Sequence, residues 1–293
     1  MKFLKKTLSS RVWLYRNLFF TILSALSVVH SQAQTYTVPS PNGQITLQAD
    51  LSGSGSGLSD WQFAGNSQLA QQWFYYSVGS SPVNSIDQIA GPTSINSHGG
   101  AAPFLSAVYS NANISVTAKF QLNNLPTLSD TLTILNPSTS GQTETFHFYQ
   151  YSHFELGGVA GGQTVQFSNN GSGPYYQVNQ TGSGGVSLQG LVSGAGFATL
   201  EAQAGEGTQF GLVNGGSAPT LDNTTLSAGP GDVEYAYEWD ETLAPGASFQ
   251  ISELQTLSAV PEPSCVALMA SGMLALALLH RRRQGEQRKG SSH

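Results

Sequence analysis

Strict two-residue alternation of apolar and polar side chains is the feature that most limits the fold of this chain. Ile114, Val116, Ala118, Phe120 and Leu122 alternate with Ser115, Thr117, Lys119, Gln121 and Asn123. Val233, Tyr235, Tyr237 and Trp239 alternate with Glu234, Ala236, Glu238 and Asp240, and Ile45 and Leu47 with Thr46 and Gln48. Successive strand side chains point to opposite faces, so this pattern predicts half-buried antiparallel strands with one wet face. Between the two ends of the chain no helical period is sustained. Turn signals punctuate the strands at Asn42-Gly43, Asn170-Gly171, Asn214-Gly215 and Leu243-Ala244-Pro245-Gly246. The last suits a type II turn between a strand ending near Trp239 and one starting near Ala247. Leu51 to Ser59 and Gly182 to Gly185 read as Gly/Ser loops. Roughly a dozen strands at short spacing, with no repeat of fixed period, predict an all-β antiparallel sandwich, jelly-roll-like, flanked by an N-terminal signal helix and a C-terminal transmembrane helix.

Charge and cysteine usage narrow the partners. Ten of the 11 basic residues lie in the two ends, so residues 34–259 keep only Lys119. Fifteen of the 17 acids lie in that stretch, which leaves it at −14. Such a surface repels nucleic acid and anionic lipid, and either attracts divalent cations or simply keeps the domain solvated. The lone cysteine, Cys265, lies near the C-terminus, so stability must come from packing and β-ladder hydrogen bonds rather than disulfides.

The ends read as targeting segments. A basic start (Lys2, Lys5, Lys6, Arg11, Arg16) precedes an apolar run from Leu18 to Val29 and the small-x-small site Ser31-Gln32-Ala33. This predicts a signal peptide over 1–33, cleaved after Ala33 by signal peptidase. At the other end, Pro261, Glu262 and Pro263 precede an apolar run from Cys265 to Leu279 and the cluster Arg281, Arg282, Arg283. At 1.5 Å per residue that run reaches about 22 Å, short of a ~30 Å hydrocarbon core unless its flanks contribute. The arginines belong on the cytoplasmic side. The tail, 260–293, resembles the PEP-CTERM sorting signal. That resemblance implies recognition by an exosortase, a membrane-embedded enzyme thought to act as a cysteine transpeptidase. It also implies an inner-membrane intermediate in a Gram-negative envelope, removal of the helix, and delivery to the cell surface or an exopolysaccharide matrix. It covers about the last thirty residues and is silent on the domain over 34–259.

For that domain the candidate chemistry is sparse. His147, Tyr149, Tyr151, His153 and Glu155 share one face of an extended segment, with Phe146, Phe148 and Phe154 on the other. Six residues at about 3.3 Å each separate the two histidines by roughly 20 Å, too far to share one ion. His153 with Glu155, two residues apart, can share an ion if another strand supplies further ligands. Tyr149, Tyr151 and His153 are candidates for stacking on sugar rings. Asp232, Glu234, Glu238, Asp240 and Glu241 form the densest acidic cluster, and Asp232, Glu234, Glu238 and Asp240 are candidate calcium ligands on a spacing that matches no EF-hand. No nucleophile elbow, H-E-x-x-H, Walker loop or G-x-G-x-x-G is present. The sequence therefore predicts a structural or adhesive ectodomain that is not an enzyme and needs no cofactor, with calcium as the one optional ion. The alternatives are a carbohydrate-binding module for exopolysaccharide and an extracellular hydrolase with two facing carboxylates.

Overall fold

A computed structural model describes residues 35–259, apart from 53–56, 170, 172–173, 183–184, 195–199, 207–211, 213–215, 218 and 222, together with residues 269–277. The chain divides into two units, Met1–Gln32 and Ala33–His293, and every described residue belongs to the second. Ala33, Pro261, Glu262, Pro263, Cys265 and Arg281 to Arg283 lie outside the described residues. Of the helix expected from Cys265 to Leu279, residues 269–277 are described and are helical. Among the described residues no helix is long and apolar enough to cross a membrane.

The domain is an antiparallel sandwich of two nine-stranded sheets. In chain order the strands are β1 (Thr35–Pro39), β2 (Thr46–Asp50), β3 (Gly57–Phe63), β4 (Asn66–Ser67), β5 (Leu69–Val78) and β6 (Asn84–Ser85). There follow β7 (Ser94–His98), β8 (Phe104–Ser110), β9 (Ser115–Leu122), β10 (Thr127–Leu135), β11 (Glu144–Phe154) and β12 (Gln163–Ser168). The last six are β13 (Gln177–Thr181), β14 (Val186–Gly194), β15 (Leu200–Glu206), β16 (Ser227–Gly231), β17 (Val233–Leu243) and β18 (Ser248–Ala259). The first sheet runs β1-β2-β3-β5-β11-β17-β15, with β4 on β3 and β6 on β5. The second runs β16-β12-β13-β14-β18-β10-β9-β8-β7. The Pro245-Gly246 turn forms as expected, with Gly246 at φ 82 and Ala247 N–H donating to the Ala244 carbonyl at 2.9 Å. It joins β17 of one sheet to β18 of the other.

Alternation explains the second sheet directly. Val116, Ala118, Phe120 and Leu122 of β9 are fully buried, and their polar neighbours are half-exposed. The inner faces meet through aromatic contacts: Phe74 stacks near Phe120 and Phe148, Phe148 meets Phe249, and Phe167 meets both Tyr235 and Tyr237. Gly57 lets β3 approach β5, because a Cβ there would sit 2.3 Å from the Trp73 ring at a φ of +74.

The expectation of one wet face fails for β17. Glu234, Ala236 and Glu238 are as buried as the apolar residues between them. The cause is a cover over the outward side of the first sheet. Leu221 donates its N–H to Glu238 at 2.7 Å, the Pro219 carbonyl accepts from Tyr149 Oη at 3.0 Å, and Gly216 bridges to Val83. Leu212 and Leu221 are themselves buried.

A polar network crosses the middle of the sandwich. Asp130 of β10 accepts from Gln72 of β5 at 2.5 Å, and Glu253 of β18 accepts from Gln150 of β11. Gln255 donates to Gln72 at 2.8 Å and to Tyr235 at 3.3 Å. Burial, and for Asp130 also the neighbouring Glu253, holds both carboxyls above the usual carboxylate range, Glu253 at about 7.

Candidate functional site

β11 and β17 lie side by side in the middle of the first sheet, and their register sets His147 against Asp240 and Tyr149 against Glu238. Four donor–acid pairs result on the outward face. His147 Nδ1 lies 2.5 Å from Asp240 Oδ1, and Tyr149 hydrogen-bonds Glu238. Tyr151 Oη donates to Glu234 at 2.6 Å, and His153 Nε2 lies 2.7 Å from Asp232. The two outer pairs are open, with side-chain exposures of 27% and 41% for His147 and Asp240 and 22% and 49% for His153 and Asp232. The two inner pairs are covered, and Tyr149 and Tyr151 are 0% and 3% exposed.

That burial corrects the expectation of a sugar-stacking face at Tyr149, Tyr151 and His153. The two tyrosine rings are inside the protein, and their hydroxyls are committed to Glu238, Pro219 and Glu234. His153 pairs with Asp232 rather than sharing an ion with Glu155. The four calcium candidates are likewise divided. Asp232 and Glu234 serve different partners on β11, and only Glu238 and Asp240 converge with a third ligand type, at His147.

The His147, Glu238 and Asp240 ligand atoms lie within 4.8 Å of one another. Two atoms binding one zinc at about 2.1 Å each stand some 3 Å or more apart. The 2.5 Å His147–Asp240 contact is a hydrogen bond, and a shared ion would have to pry it open. This arrangement supports proton chemistry better. Asp240 accepts from Nδ1, which leaves the His147 Nε2 lone pair free as a base. Glu238 Oε1 is 4.0 Å from His147 Nδ1, and the Glu238 side chain is 2% exposed. Burial is the main cause that raises its pKa to about 7, with the Asp240 and Glu201 charges adding to the rise against hydrogen bonds from Leu221 and Tyr149. A carboxyl that titrates near neutrality beside an oriented imidazole is a signature of acid–base sites.

The sequence located His147, Glu238 and Asp240 but neither joined them nor placed the cover. His147 and Asp240 are 93 residues apart, and only the β11–β17 register brings them together. Glu201, facing Glu238 from β15, had no local signal at all.

No protein-family model matches the sequence, and no curated protein matches it. Solved structures share its fold. A bacterial glucoamylase complexed with acarbose superposes with a TM-score of 0.55 at 11% identity, covering 82% of this chain and 34% of the glucoamylase. The chain thus spans about a third of that enzyme's length. The galactose 1-epimerase of Lactobacillus acidophilus NCFM superposes with a TM-score of 0.50 at 10% identity, covering 78% of this chain and 100% of the epimerase. These likenesses establish the fold, and with it they overturn the expectation that the domain is not an enzyme. That expectation rested on missing linear motifs, whereas this is a sandwich that enzymes use, and its titrating groups come from separate strands.

Proposed function

We propose that the domain is a carbohydrate-processing enzyme, exported and sorted to the cell surface through its C-terminal Pro-Glu-Pro tail. The observation that carries the enzymatic part is the His147–Glu238–Asp240 cluster, with a half-buried imidazole set by one carboxylate and backed by another that titrates near 7. His147 is the group a substrate reaches, and its free Nε2 takes or gives a proton at a sugar hydroxyl or ring oxygen. Asp240 holds the tautomer. Glu238, behind it and out of solvent, stabilises the imidazolium that forms when Nε2 takes the proton, by its negative charge when ionised. The sugar substrate class is supported by the names of the proteins that share the fold, a glucoamylase and a galactose 1-epimerase.

Full-length protein is assayed for anomer interconversion of free aldoses by polarimetry and for reducing ends released from a polysaccharide panel. Activity in one assay that falls at least a hundredfold in His147→Gln supports the reading. Activity in neither, or an unchanged His147→Gln variant, removes it.

The sorting part rests on Pro261, Glu262, Pro263 and the cluster at Arg281 to Arg283. Its partners are signal peptidase, an exosortase-type enzyme and an exopolysaccharide matrix. Intact mass and cell fractionation in the native host test it. The wild type should begin at Gln34, lose its tail and reach the surface, and a variant with the three motif residues changed to alanine should stay in the inner membrane. If both forms keep the tail and fractionate alike, the motif is incidental.

A further inference from the structure

The charges of this domain are segregated by sheet. The second sheet contributes two acids, Asp130 and Glu253, and both point inward and are buried. The outward positions of its strands carry no acid and one cation, Lys119. The rest are mostly hydroxyls and amides, interrupted by Val108, Leu135, Leu191 and Leu254. Ser106, Lys119, Thr131, Ser252 and Ser193 line up across β8, β9, β10, β18 and β14. Gln166, Asn179, Gln189 and Thr256 line up across β12, β13, β14 and β18.

Lys119 is also the only Lys or Arg in residues 34–259. Among the described residues no carboxylate lies within ion-pair distance of it, and its Nζ sits 4.7 Å from the centroid of the Phe104 ring. His98 stacks on the same ring, with centroids 5.6 Å apart and planes at 24°. Phe104, His98, Tyr36 and Pro39 line a cavity of about 240 Å³. It lies between β1 and the β7–β8 hairpin, where the end strand of one sheet meets the end strand of the other. End strands leave backbone donors and acceptors unpaired.

We propose that the outward face of the second sheet, together with this edge cavity, binds an acidic polysaccharide: one sugar ring packs against Phe104, His98 and Tyr36, its carboxylate pairs with Lys119, and the chain runs on across the hydroxyl and amide rows. Aromatic walls give a sugar ring its apolar contact, and the rows supply donors and acceptors at strand spacing, about 4.8 Å. A protein partner would call for buried apolar anchors, and an anionic membrane for a basic cluster. This face offers neither: Leu254, at 43%, is its single large hydrophobic among the strongly exposed ones. The acids of the first sheet repel a polyanion, so binding is confined to the acid-free side. The proposal does not rest on the acid–base reading of His147.

The test is retention of full-length protein on immobilised polygalacturonate and on its fully methyl-esterified form, which keeps the backbone and loses the charge. Expected is retention on the acid form that weakens with salt and is at least tenfold weaker on the ester. Lys119→Gln should lose at least tenfold, Lys119→Arg should recover most of it, and Phe104→Ala should weaken both polymers. His147→Gln and Glu238→Gln should bind as wild type, which keeps this result separate from the catalytic one. Equal retention of acid and ester, no retention of either, or an unaffected Lys119→Gln variant would overturn the proposal.

Discussion

Asp130 and Glu253 stand directly opposite one another on neighbouring strands in the middle of the sandwich, at 0% and 2% exposure, with Gln72 and Gln150 of the facing sheet as their hydrogen-bond donors. Two adjacent buried carboxylates cannot both stay charged without a cation, so protons must neutralise them in part. Asp130 Oδ1 and Glu253 Oε1 are buried without a hydrogen-bond partner, which favours the protonated form at each.

The pH dependence of stability follows with a definite sign. The folded state holds a proton on Glu253 to about 7, whereas the ordinary value is 4.5. The folded state therefore binds protons more tightly than the unfolded chain, and the stability gained is complete below about pH 4.5 and is lost as pH rises to 7. The loss is about 3 kcal/mol for Glu253, and Asp130, also raised, adds to it. Thermal unfolding should give a Tm roughly 6–12 °C lower at pH 8 than at pH 5. Glu253→Gln should reduce that difference, with the remainder left by the other raised carboxyls, Asp130 and Glu238. Equal Tm at both pH values would mean the pair is neutralised some other way.

Glu238 should titrate with a midpoint near 7 when followed through its carboxyl carbon by NMR. Asp240→Asn should lower the midpoint, because the Asp240 charge is one of the causes that raise it. A midpoint that stays put would show that Asp240 acts on His147 alone.

Two glycine substitutions should differ sharply. Gly57→Ala places a Cβ 2.3 Å from Trp73 at a positive φ, and should cost about 3 kcal/mol or more. Gly43→Ala has a similar φ, +70, but meets nothing within 4 Å, and should cost about 1 kcal/mol. Denaturant midpoints of the two variants measure the contrast. Equal losses would rule out the Trp73 contact as the cause.

Tyr151→Phe should destabilise the domain by about 1–3 kcal/mol, because buried Glu234 loses a 2.6 Å donor. Polysaccharide retention should not change, since the ring is 3% exposed. A variant of wild-type stability with weaker glycan binding would restore Tyr151 as a ligand residue.

Legibility in the sequence tracked how many sides of a strand other chain segments cover. β9 has one covered face, and its alternation named Val116, Ala118 and Phe120 as core and Lys119 as surface without error. β17 alternates just as cleanly, yet Glu234 and Glu238 are buried because Pro219 and Leu221 lie over them. Nothing within a strand's own residues reports a distant loop that folds across it. The same holds for the site: His147 stood out by residue type, but its partner Asp240 is fixed by a strand register set 93 residues later. Lys119 was conspicuous by composition, and its place beside the Phe104 and Tyr36 cavity depends on two sheet edges meeting.

Among the described residues β18 is the last strand and a central one, held between β10 and β14. Its neighbours close only around a segment that reaches Ala259, so the second sheet stays open until nearly the whole domain has been delivered. Assembly is then a late, long-range event, and until it occurs β10 and β14 keep bare edges that need protection from self-association. Pulling on the chain beyond Ala259 would load the centre of the sheet rather than its rim.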